Sequence, residues 1–251
     1  MFRSLIVEGF ILSTARIGEI HKQVLIFTGD RGIMSAIAHG ALKTTGKLKS
    51  HTELFLHCRF FLYHEPVKDS YKITDAECIS SFPELRRSVV RYYAASLFAE
   101  IVLKSFAGGE ANKALFELYS AVFTLLDVIA EEKVHYLVIQ FLFRFLGLIG
   151  FQMEMDLCAA CGRPVGEKES LSFLRRGRGF VCATCRKEAG IDFSPGARVY
   201  LKRTLPLSLE GACKITLAEN TFLAIKTLVY LLVQESIEKE LNSLAVGKGV
   251  L

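Results

Sequence analysis

The sequence lacks the short motifs with which most enzymes hold a phosphate, a catalytic metal or a nucleophile. It contains no Gly-x-x-x-x-Gly-Lys-Ser/Thr loop, no Gly-x-Gly-x-x-Gly, no His-Glu-x-x-His and no Gly-x-Ser-x-Gly. Five of its six histidines lie in the first 80 residues without the spacing of metal ligands. Acidic residues such as Glu131 and Glu132 suit a solvated helix surface. These absences exclude the common hydrolases and nucleotide-binding enzymes, and an enzyme is not expected.

The chain also has few charges and no visible secretory signal. Charged residues make up 23% of it and hydrophobic residues 51%, so a large buried core is available and wholesale disorder is excluded. Residues 1–12 contain an arginine, a glutamate and no signal-peptidase site. The longest apolar run, residues 134–151, carries a histidine, a glutamine and an arginine, so it predicts a buried helix rather than a membrane span.

Four of the seven cysteines form the most informative pattern. Two Cys-x-x-Cys pairs are separated by 20 residues, the spacing of a four-thiolate zinc site, and they comprise Cys158, Cys161, Cys182 and Cys185. Four thiolates leave no open coordination position, so one structural zinc ion is the predicted cofactor. The alternatives are four unrelated core thiols or a redox dithiol, but a redox dithiol needs only one pair.

The odd cysteine count fits a reducing cytoplasm better than a disulfide-bonded secreted protein. The other three cysteines, Cys58, Cys78 and Cys213, lie in apolar segments, so we expect them to be inert core residues.

The first 80 residues predict a small closed barrel. Five short runs of apolar, β-branched or aromatic residues are separated by turn signals, at residues 5–12, 23–27, 32–38, 54–63 and 71–79. The oligonucleotide-binding (OB) fold is the commonest five-stranded barrel, although an SH3-like barrel would show a similar pattern.

Residues 81–251 predict a helical domain with the zinc module inserted at about residues 156–190. A capping box of Ser81 and Glu84, with Pro83 in the first turn, predicts a helix start. Further helices are expected at residues 111–131, 134–149 and 217–241, the second of them central because it is apolar nearly all round. The predicted fold class is therefore α+β and multidomain.

Positive charge is concentrated in two places, although the net charge is only +5. Residues 158–203 contain ten basic and four acidic residues, including the cluster Arg175, Arg176 and Arg178. This cluster has few acidic neighbours in the sequence, which favours contact with phosphate over contact with protein or a role in solubility alone.

The second basic group lies in the loops of the predicted barrel and comprises Arg16, Lys22, Arg31, Lys43, Lys47 and Lys49. In such barrels, cationic loops follow the backbone of a single strand while aromatic side chains stack on bases. The alternative is an ordinary solvated surface. The pattern does not decide which of Phe27, Phe55 or Tyr63 faces outward.

Two stretches of the chain carry a family pattern. The first has Gly-Phe-Ile-Leu at residues 9–12, Arg-Ile-Gly-Glu at 16–19 and Gly-Ala at 40–41. The second has Phe-Leu-Gly-Leu-Ile-Gly-Phe at residues 145–151, which leads into the cysteine pairs. In order and spacing these stretches resemble the RecO family of bacterial recombination mediators.

The resemblance implies an N-terminal OB barrel, a helical core carrying the zinc module, and a non-enzymatic role in the bacterial cytoplasm, associated with the nucleoid. RecO-like proteins bind single- and double-stranded DNA and anneal complementary strands. With RecR they help to load RecA onto DNA covered by single-strand-binding protein (SSB), whose C-terminal tail they bind. By resemblance, the DNA contacts fall on the six barrel cations and the zinc ligands on the four cysteines. One position departs from the family, because Leu42 follows Gly-Ala where a basic residue is common.

Two other classes of function stay open from the residues alone. A zinc-stapled protein-interaction scaffold in transcription or translation would keep the metal and the core but would bind DNA weakly or not at all. A zinc hydrolase or deaminase would need a metal-bound water and a nearby glutamate in a His/Cys-x-Glu setting. Glu167 and Glu169 are near the cysteines, but neither lies in such a motif.

Overall fold

A computed structural model of the chain describes residues 3–105, 110–151, 153–175, 179–237 and 239–243. The chain divides into two compact units. The described residues up to 131, with 241–243, form one unit, and the described residues from 132 to 240 form the other.

The first unit begins with a closed five-stranded barrel. Its strands are β1 (Ser4–Ile17), β2 (His21–Thr28), β3 (Gly32–Ala38), β4 (His57–Glu65) and β5 (Ser70–Ser80). They close in the order β1-β2-β3-β5-β4, with β3 and β5 parallel and the other pairs antiparallel. The predicted five-stranded OB-type barrel is therefore confirmed.

The long strand β1 closes the barrel because it pairs with both β2 and β4. Gly9 is opposite Thr28 on one side and Cys58 on the other. A Cβ atom at this position would lie 2.5 Å from the carbonyl oxygen of Phe27, so only glycine permits this close approach.

Alternation along the strands builds the barrel core. The inward side chains come from all five strands and include Val7, Ile11, Val24, Ile26, Met34, Ala36, Phe60, Leu62, Ile73 and Ala76. Ala41 and Leu48, from the connection between β3 and β4, are buried in the same cluster. Apolar contacts therefore hold this connection against the barrel.

A second, aromatic core joins the outside of the barrel to two helices of the same unit, α1 (Val89–Ser105) and α2 (Lys113–Val128). The ring of Tyr119 in α2 lies 5.1 Å from that of Phe10 and 5.5 Å from that of Phe27. These outward-facing barrel residues are consequently covered by protein.

The predicted capping box is wrong. Residues Pro83–Arg86 form a short 3₁₀ turn, and the α-helix begins at Val89. Phe82, which precedes this turn, adopts a left-handed conformation with φ of 47° and provides no side-chain cap. The N–H of Glu84 instead donates to the carboxylate of Asp127 at 2.9 Å. The Phe82 ring is buried and lies 5.6 Å from that of Phe123, so burial of an aromatic side chain outweighs the local capping preference.

The second unit surrounds an apolar helix, α3 (Val134–Leu148), ten of whose 15 residues are buried. Three short strands follow, β6 (Leu171–Leu174), β7 (Gly179–Val181) and β8 (Ile191–Phe193), and they form a sheet in the order β7-β6-β8. The helices α4 (Pro195–Thr204), α5 (Leu209–Lys214) and α6 (Glu219–Ile237) complete the unit.

The sequence reading missed α4 and α5, although each has a clear start signal. Ser194 and Ser208 cap these helices by accepting hydrogen bonds from the backbone N–H groups of Ala197 and Gly211. Among the described residues, no helix combines the length and the apolar character needed to cross a bilayer.

Candidate metal centre and nucleic-acid interface

The second unit brings the four predicted zinc ligands together. The sulfur atoms of Cys158, Cys161, Cys182 and Cys185 all lie within 4.8 Å of one another. Tetrahedral zinc with Zn–S bonds of about 2.3 Å places its sulfur ligands about 3.8 Å apart. Both the donor atoms and their spacing therefore fit a tetrahedral zinc ion.

Tight turns shape the first cysteine pair. Leu157 and Pro164 form an isolated antiparallel bridge that closes the turn. Within it, the N–H of Gly162 donates to the carbonyl oxygen of Cys158 at 2.8 Å, and Gly162 adopts the left-handed φ of 70°. Glycine adopts this conformation without the steric cost that other residues meet. The turn thus brings Cys161 back beside Cys158.

The second pair is held in the same way and is tied to the first. The N–H groups of Cys185 and Arg186 both donate to the carbonyl oxygen of Cys182, at 3.0 and 3.1 Å. The N–H of Cys182 donates to the sulfur of Cys158 at 3.4 Å. Backbone donors aimed at sulfur stabilise thiolates, so the chain itself prepares part of the ligand set.

The pKa values of the cysteine thiols shift in opposite directions within the cluster. Burial opposes ionisation of Cys158, but hydrogen bonds from the backbone of Cys182 and Cys161 lower the pKa of its thiol to about 6. Hydrogen bonds with the side chains of Cys182 and Cys161 instead raise the pKa of Cys185 to about 12. Neighbouring thiols cannot all ionise because their negative charges repel. A bound dication would remove that repulsion and supply electrostatic stabilisation to all four.

Several arginines of the zinc module are engaged in ion pairs or hydrogen bonds within the module. Both terminal nitrogens of Arg163 contact the carboxylate of Glu169, and Nη1 lies 3.0 Å from Oε2. The buried guanidinium of Arg198 donates to the carbonyl oxygens of Gly166 and Glu169, at 3.0 and 2.9 Å. Arg186 pairs with Asp192. These arginines therefore brace the chain around the cysteines.

The predicted arginine cluster is described only in part. Arg175 is exposed, and its guanidinium forms an ion pair of 2.6 Å with Glu235. Few acidic residues lie near the cluster in the sequence, but for Arg175 the fold supplies a carboxylate from α6, 60 residues away. Arg176 and Arg178 lie outside the described residues.

Two of the six predicted barrel cations donate hydrogen bonds to backbone carbonyl oxygens of the barrel. Lys22 extends from the inward side of β2, and only 12% of its side chain is exposed. Its amine contacts the carboxylate of Glu53 at 2.8 Å and the carbonyl oxygen of Thr52 at 3.2 Å. Arg16 is exposed but folds back onto the β1–β2 turn, where it donates to the carbonyl oxygens of Gly18 and Glu19.

The connection between β3 and β4 presents three of the others. We call residues 40–52 the lysine loop, because Lys43, Lys47 and Lys49 are all exposed on it. Within the described part of the chain, neither Lys43 nor Lys49 forms an ion pair. Lys47 contacts Asp75 at 2.7 Å, yet 73% of its side chain is exposed.

Successive turns give the lysine loop a defined shape. The N–H groups of Lys43, Gly46 and Lys49 each donate to the carbonyl three residues earlier, at 3.0 Å in every case. A Cβ atom on Gly46 would lie 2.3 Å from the carbonyl oxygen of Gly40, so the loop crosses itself closely there. The sixth predicted cation, Arg31, is exposed in the β2–β3 turn, 4.0 Å from Asp30.

The sequence reading missed a further cationic group near the β4–β5 turn. Lys68 is exposed in that turn, and Lys72 pairs with Glu65 at 2.6 Å. Burial lowers the pKa of His39, and the positive charges of His21 and Lys72 lower it further, while the carboxylate of Glu65 raises it. The β4–β5 loop is one of the two loops with which OB folds bind oligonucleotides. Its position after the fourth strand was the available signal.

The structure also resolves which aromatic residues of the barrel reach solvent. Phe27 and Phe55 are buried, with 1% and 3% of their surface exposed, whereas Tyr63 is partly exposed. Tyr71, beside the β4–β5 turn, is also partly exposed. Phe61, two residues before Tyr63 on β4, is partly exposed as well, so Phe61, Tyr63 and Tyr71 are the described barrel aromatics that could meet a base.

The two parts of the chain match two family descriptions. Residues 1–82 match "Recombination protein O N terminal" and residues 86–245 match "Recombination protein O C terminal". The chain belongs to the recombination protein O (RecO) family.

Curated members of the RecO family resemble the chain over most of their length. A protein from Clostridium acetobutylicum is 27% identical over 213 residues, which cover 85% of this chain and 84% of the relative. One from Heliobacterium modesticaldum is 31% identical over 206 residues (80% and 73%), and one from Clostridium novyi is 27% identical over 239 residues (95% and 91%). Each relative is named DNA repair protein RecO.

Proposed function

We propose that the chain acts in DNA repair and homologous recombination as a non-catalytic mediator. It binds single- and double-stranded DNA, anneals complementary strands and, with RecR, helps to load RecA onto strands covered by SSB, whose C-terminal tail it binds. Membership of the RecO family supports the general role. The observation that carries the DNA-binding part is the ordered lysine loop on an OB-type barrel.

The lysine loop suits phosphate for electrostatic reasons. Lys43 and Lys49 have no intramolecular counter-ion among the described residues, so binding to phosphate breaks no ion pair for them. The Lys47–Asp75 pair lies at the surface, where such pairs contribute only about 0–1 kcal/mol, so Lys47 can exchange its carboxylate for a phosphate. The loop is ordered before binding, which lowers the conformational entropy lost on binding.

Annealing follows from the same electrostatics. Two complementary strands repel through their phosphates, and cations that contact both strands screen that repulsion. The β4–β5 loop, with exposed Lys68, adds cationic character at the end of β3 from which the lysine loop starts, because Tyr71 at the start of β5 pairs with Ala36. Arg31 lies at the other end of β3, where it would be a separate contact. No acid–base or nucleophilic group is required for this step, because base pairing itself drives it.

In the proposed zinc site, the four cysteines hold one zinc ion that shapes residues 156–190. With four thiolate ligands, the ion has no open position for a water or a substrate. This argues for a structural role and against a hydrolase or deaminase.

Salt-dependent binding of a labelled single strand tests the DNA-binding proposal. Each phosphate contact with a single strand contributes about 0.7 to the log–log salt slope, so replacing Lys43, Lys47 and Lys49 by alanine should make the slope shallower by about 2. The affinity difference between this variant and the parent should then shrink by roughly 15- to 20-fold when salt rises from roughly 50 to 200 mM.

A matched control removes the same charge elsewhere. Lys113, Lys202 and Lys214 lie on helices and each pairs with a carboxylate. Their replacement by alanine should change the salt slope by less than about 0.7, the contribution of one phosphate contact. Equal slopes for the parent and the lysine-loop variant would remove this loop from the DNA site. A slope near zero for the parent would favour the protein-interaction scaffold instead.

A further inference from the structure

Two cysteines outside the zinc cluster face each other across neighbouring strands of the barrel. Cys58 in β4 and Cys78 in β5 are direct partners in the antiparallel pairing of these strands. Opposite residues of such a pair have Cα atoms about 4.5–5.5 Å apart and side chains on the same face of the sheet. A disulfide needs a Cα separation of about 4.4–6.8 Å. The backbone therefore already meets the distance requirement for a bond between them.

The two thiols also differ in accessibility while they remain in contact. Cys58 is buried in the barrel core, whereas Cys78 is exposed. Burial, followed by the charge of Cys78 and a hydrogen bond with its thiol, raises the pKa of Cys58 to about 12. The register shifts next to the pair, because His57 is opposite Ser80 while Cys58 is opposite Cys78. Such β-bulges are common at the rims of barrels, where they redirect side chains.

We propose that Cys58 and Cys78 form a reversible thiol–disulfide pair that is oxidised by low-molecular-weight disulfides such as oxidised glutathione. The pair would be a modification site separate from both the zinc cluster and the lysine loop. It departs from the expectation that these cysteines are inert, because that expectation considered each one alone.

The exposed thiol reacts first. The thiolate of Cys78 attacks one sulfur of the oxidised glutathione, whose S–S bond breaks, and one glutathione thiolate leaves and takes up the proton that Cys78 lost. The sulfur of Cys58 then attacks the Cys78 sulfur of the mixed disulfide. The second glutathione thiolate leaves and takes up the proton from Cys58. The protein loses two electrons and two protons, and the oxidant becomes two glutathione molecules.

Mass spectrometry can follow both thiols separately. Trypsin places Cys58 in the peptide 50–59 and Cys78 in the peptide 73–86, each with a single cysteine. The full-length, zinc-loaded protein is equilibrated at a series of oxidised-to-reduced glutathione ratios, quenched with acid, denatured, alkylated and digested. The linked peptide should increase with the ratio as both alkylated peptides decrease, and dithiothreitol should reverse the change.

Other cysteines in the same digest serve as controls. Cys213 is buried and lies in the peptide 204–214, which should stay fully alkylated. The zinc cysteines lie in other peptides, so damage to that site is detected independently. If Cys78 stops at the mixed disulfide with glutathione while Cys58 remains alkylated, the proposal is overturned.

Two variants test the order of the steps. In Cys58→Ser, Cys78 should accumulate as the mixed disulfide, because no second thiol can release the glutathione. In Cys78→Ser, Cys58 should remain a free thiol, because it is buried. If Cys58 formed a mixed disulfide with glutathione in Cys78→Ser as fast as Cys58 is oxidised in the parent, the proposed sequence would be contradicted. So would a link in the parent that forms only after denaturation.

Discussion

Loss of a single cysteine from the cluster should release the metal and unfold the segment around it. We choose Cys158→Ser and Cys182→Ser because these two ligands are buried and are linked by the hydrogen bond from the Cys182 N–H to the Cys158 sulfur. We expect each variant to retain close to zero equivalents of zinc, whereas the parent retains one.

The loss of structure should be large because few other contacts stabilise the two Cys-x-x-Cys turns. The apolar cluster at the site consists of Cys158, Val181 and Cys182, with Leu174 and Cys185 packed against it, so most of its members are the ligands themselves. Complete burial of a valine contributes about 1.5–3 kcal/mol. A structural zinc ion contributes about 10–16 kcal/mol. Zinc binding therefore contributes several times more free energy than burial of Val181, and the two Cys-x-x-Cys turns should not stay folded without the metal.

Zinc released by acid and measured with a chromogenic chelator gives the stoichiometry. Limited trypsin digestion should show early cleavage after Lys168, Arg186 and Lys187 in both variants, while fragments from the barrel in the other unit survive. Cys213→Ala, which removes a buried thiol of the same unit outside the cluster, should keep one zinc ion. Full zinc retention in both serine variants would refute the four-thiolate assignment.

Three further substitutions test the packing of the lysine loop and of α3. Gly46→Ala places a Cβ atom 2.3 Å from the carbonyl oxygen of Gly40, so we expect a loss of about 1–3 kcal/mol in chemical denaturation and weaker single-strand binding; unchanged stability would contradict the tight crossing. Gly147→Ala, in α3 with open space around it, should instead stabilise the protein by up to about 1 kcal/mol, and destabilisation would count against this helix. Gln140→Leu removes buried hydrogen bonds to Tyr200 (3.1 Å) and the neighbouring Thr204, so it should lower the free energy of unfolding by about 1–3 kcal/mol, and a neutral result would mean that these hydroxyls find other partners.

Local patterns predicted the parts of the molecule whose physics is local. Cys-x-x-Cys spacing predicts a metal-binding turn from a few residues, because the turn itself brings both sulfur atoms to one side. The structure places all four cysteine sulfur atoms together, as predicted. Alternation of apolar residues predicted the five strands, since inward and outward positions follow a two-residue period. The same reasoning identified α3, whose apolar surface on all sides requires burial.

Patterns failed where a local signal competed with a distant contact. The Ser81–Glu84 capping box is a good start signal, yet Phe82 is buried against Phe123 and the helix starts later. Cys58 and Cys78 looked like separate core residues, because their pairing depends on the register between two strands.

The sequence by itself therefore determined the fold class, the family and the four-cysteine set, because each rests on residues close together or on a regular period. Only the tertiary structure decided which cations are available to a ligand. Lys22 and Lys43 look alike in the sequence, but Lys22 meets Glu53, 31 residues away, while Lys43 stays exposed on the lysine loop. A charge is neutralised by whatever lies within a few ångströms of it, and for these strands that neighbour is set by how the barrel closes.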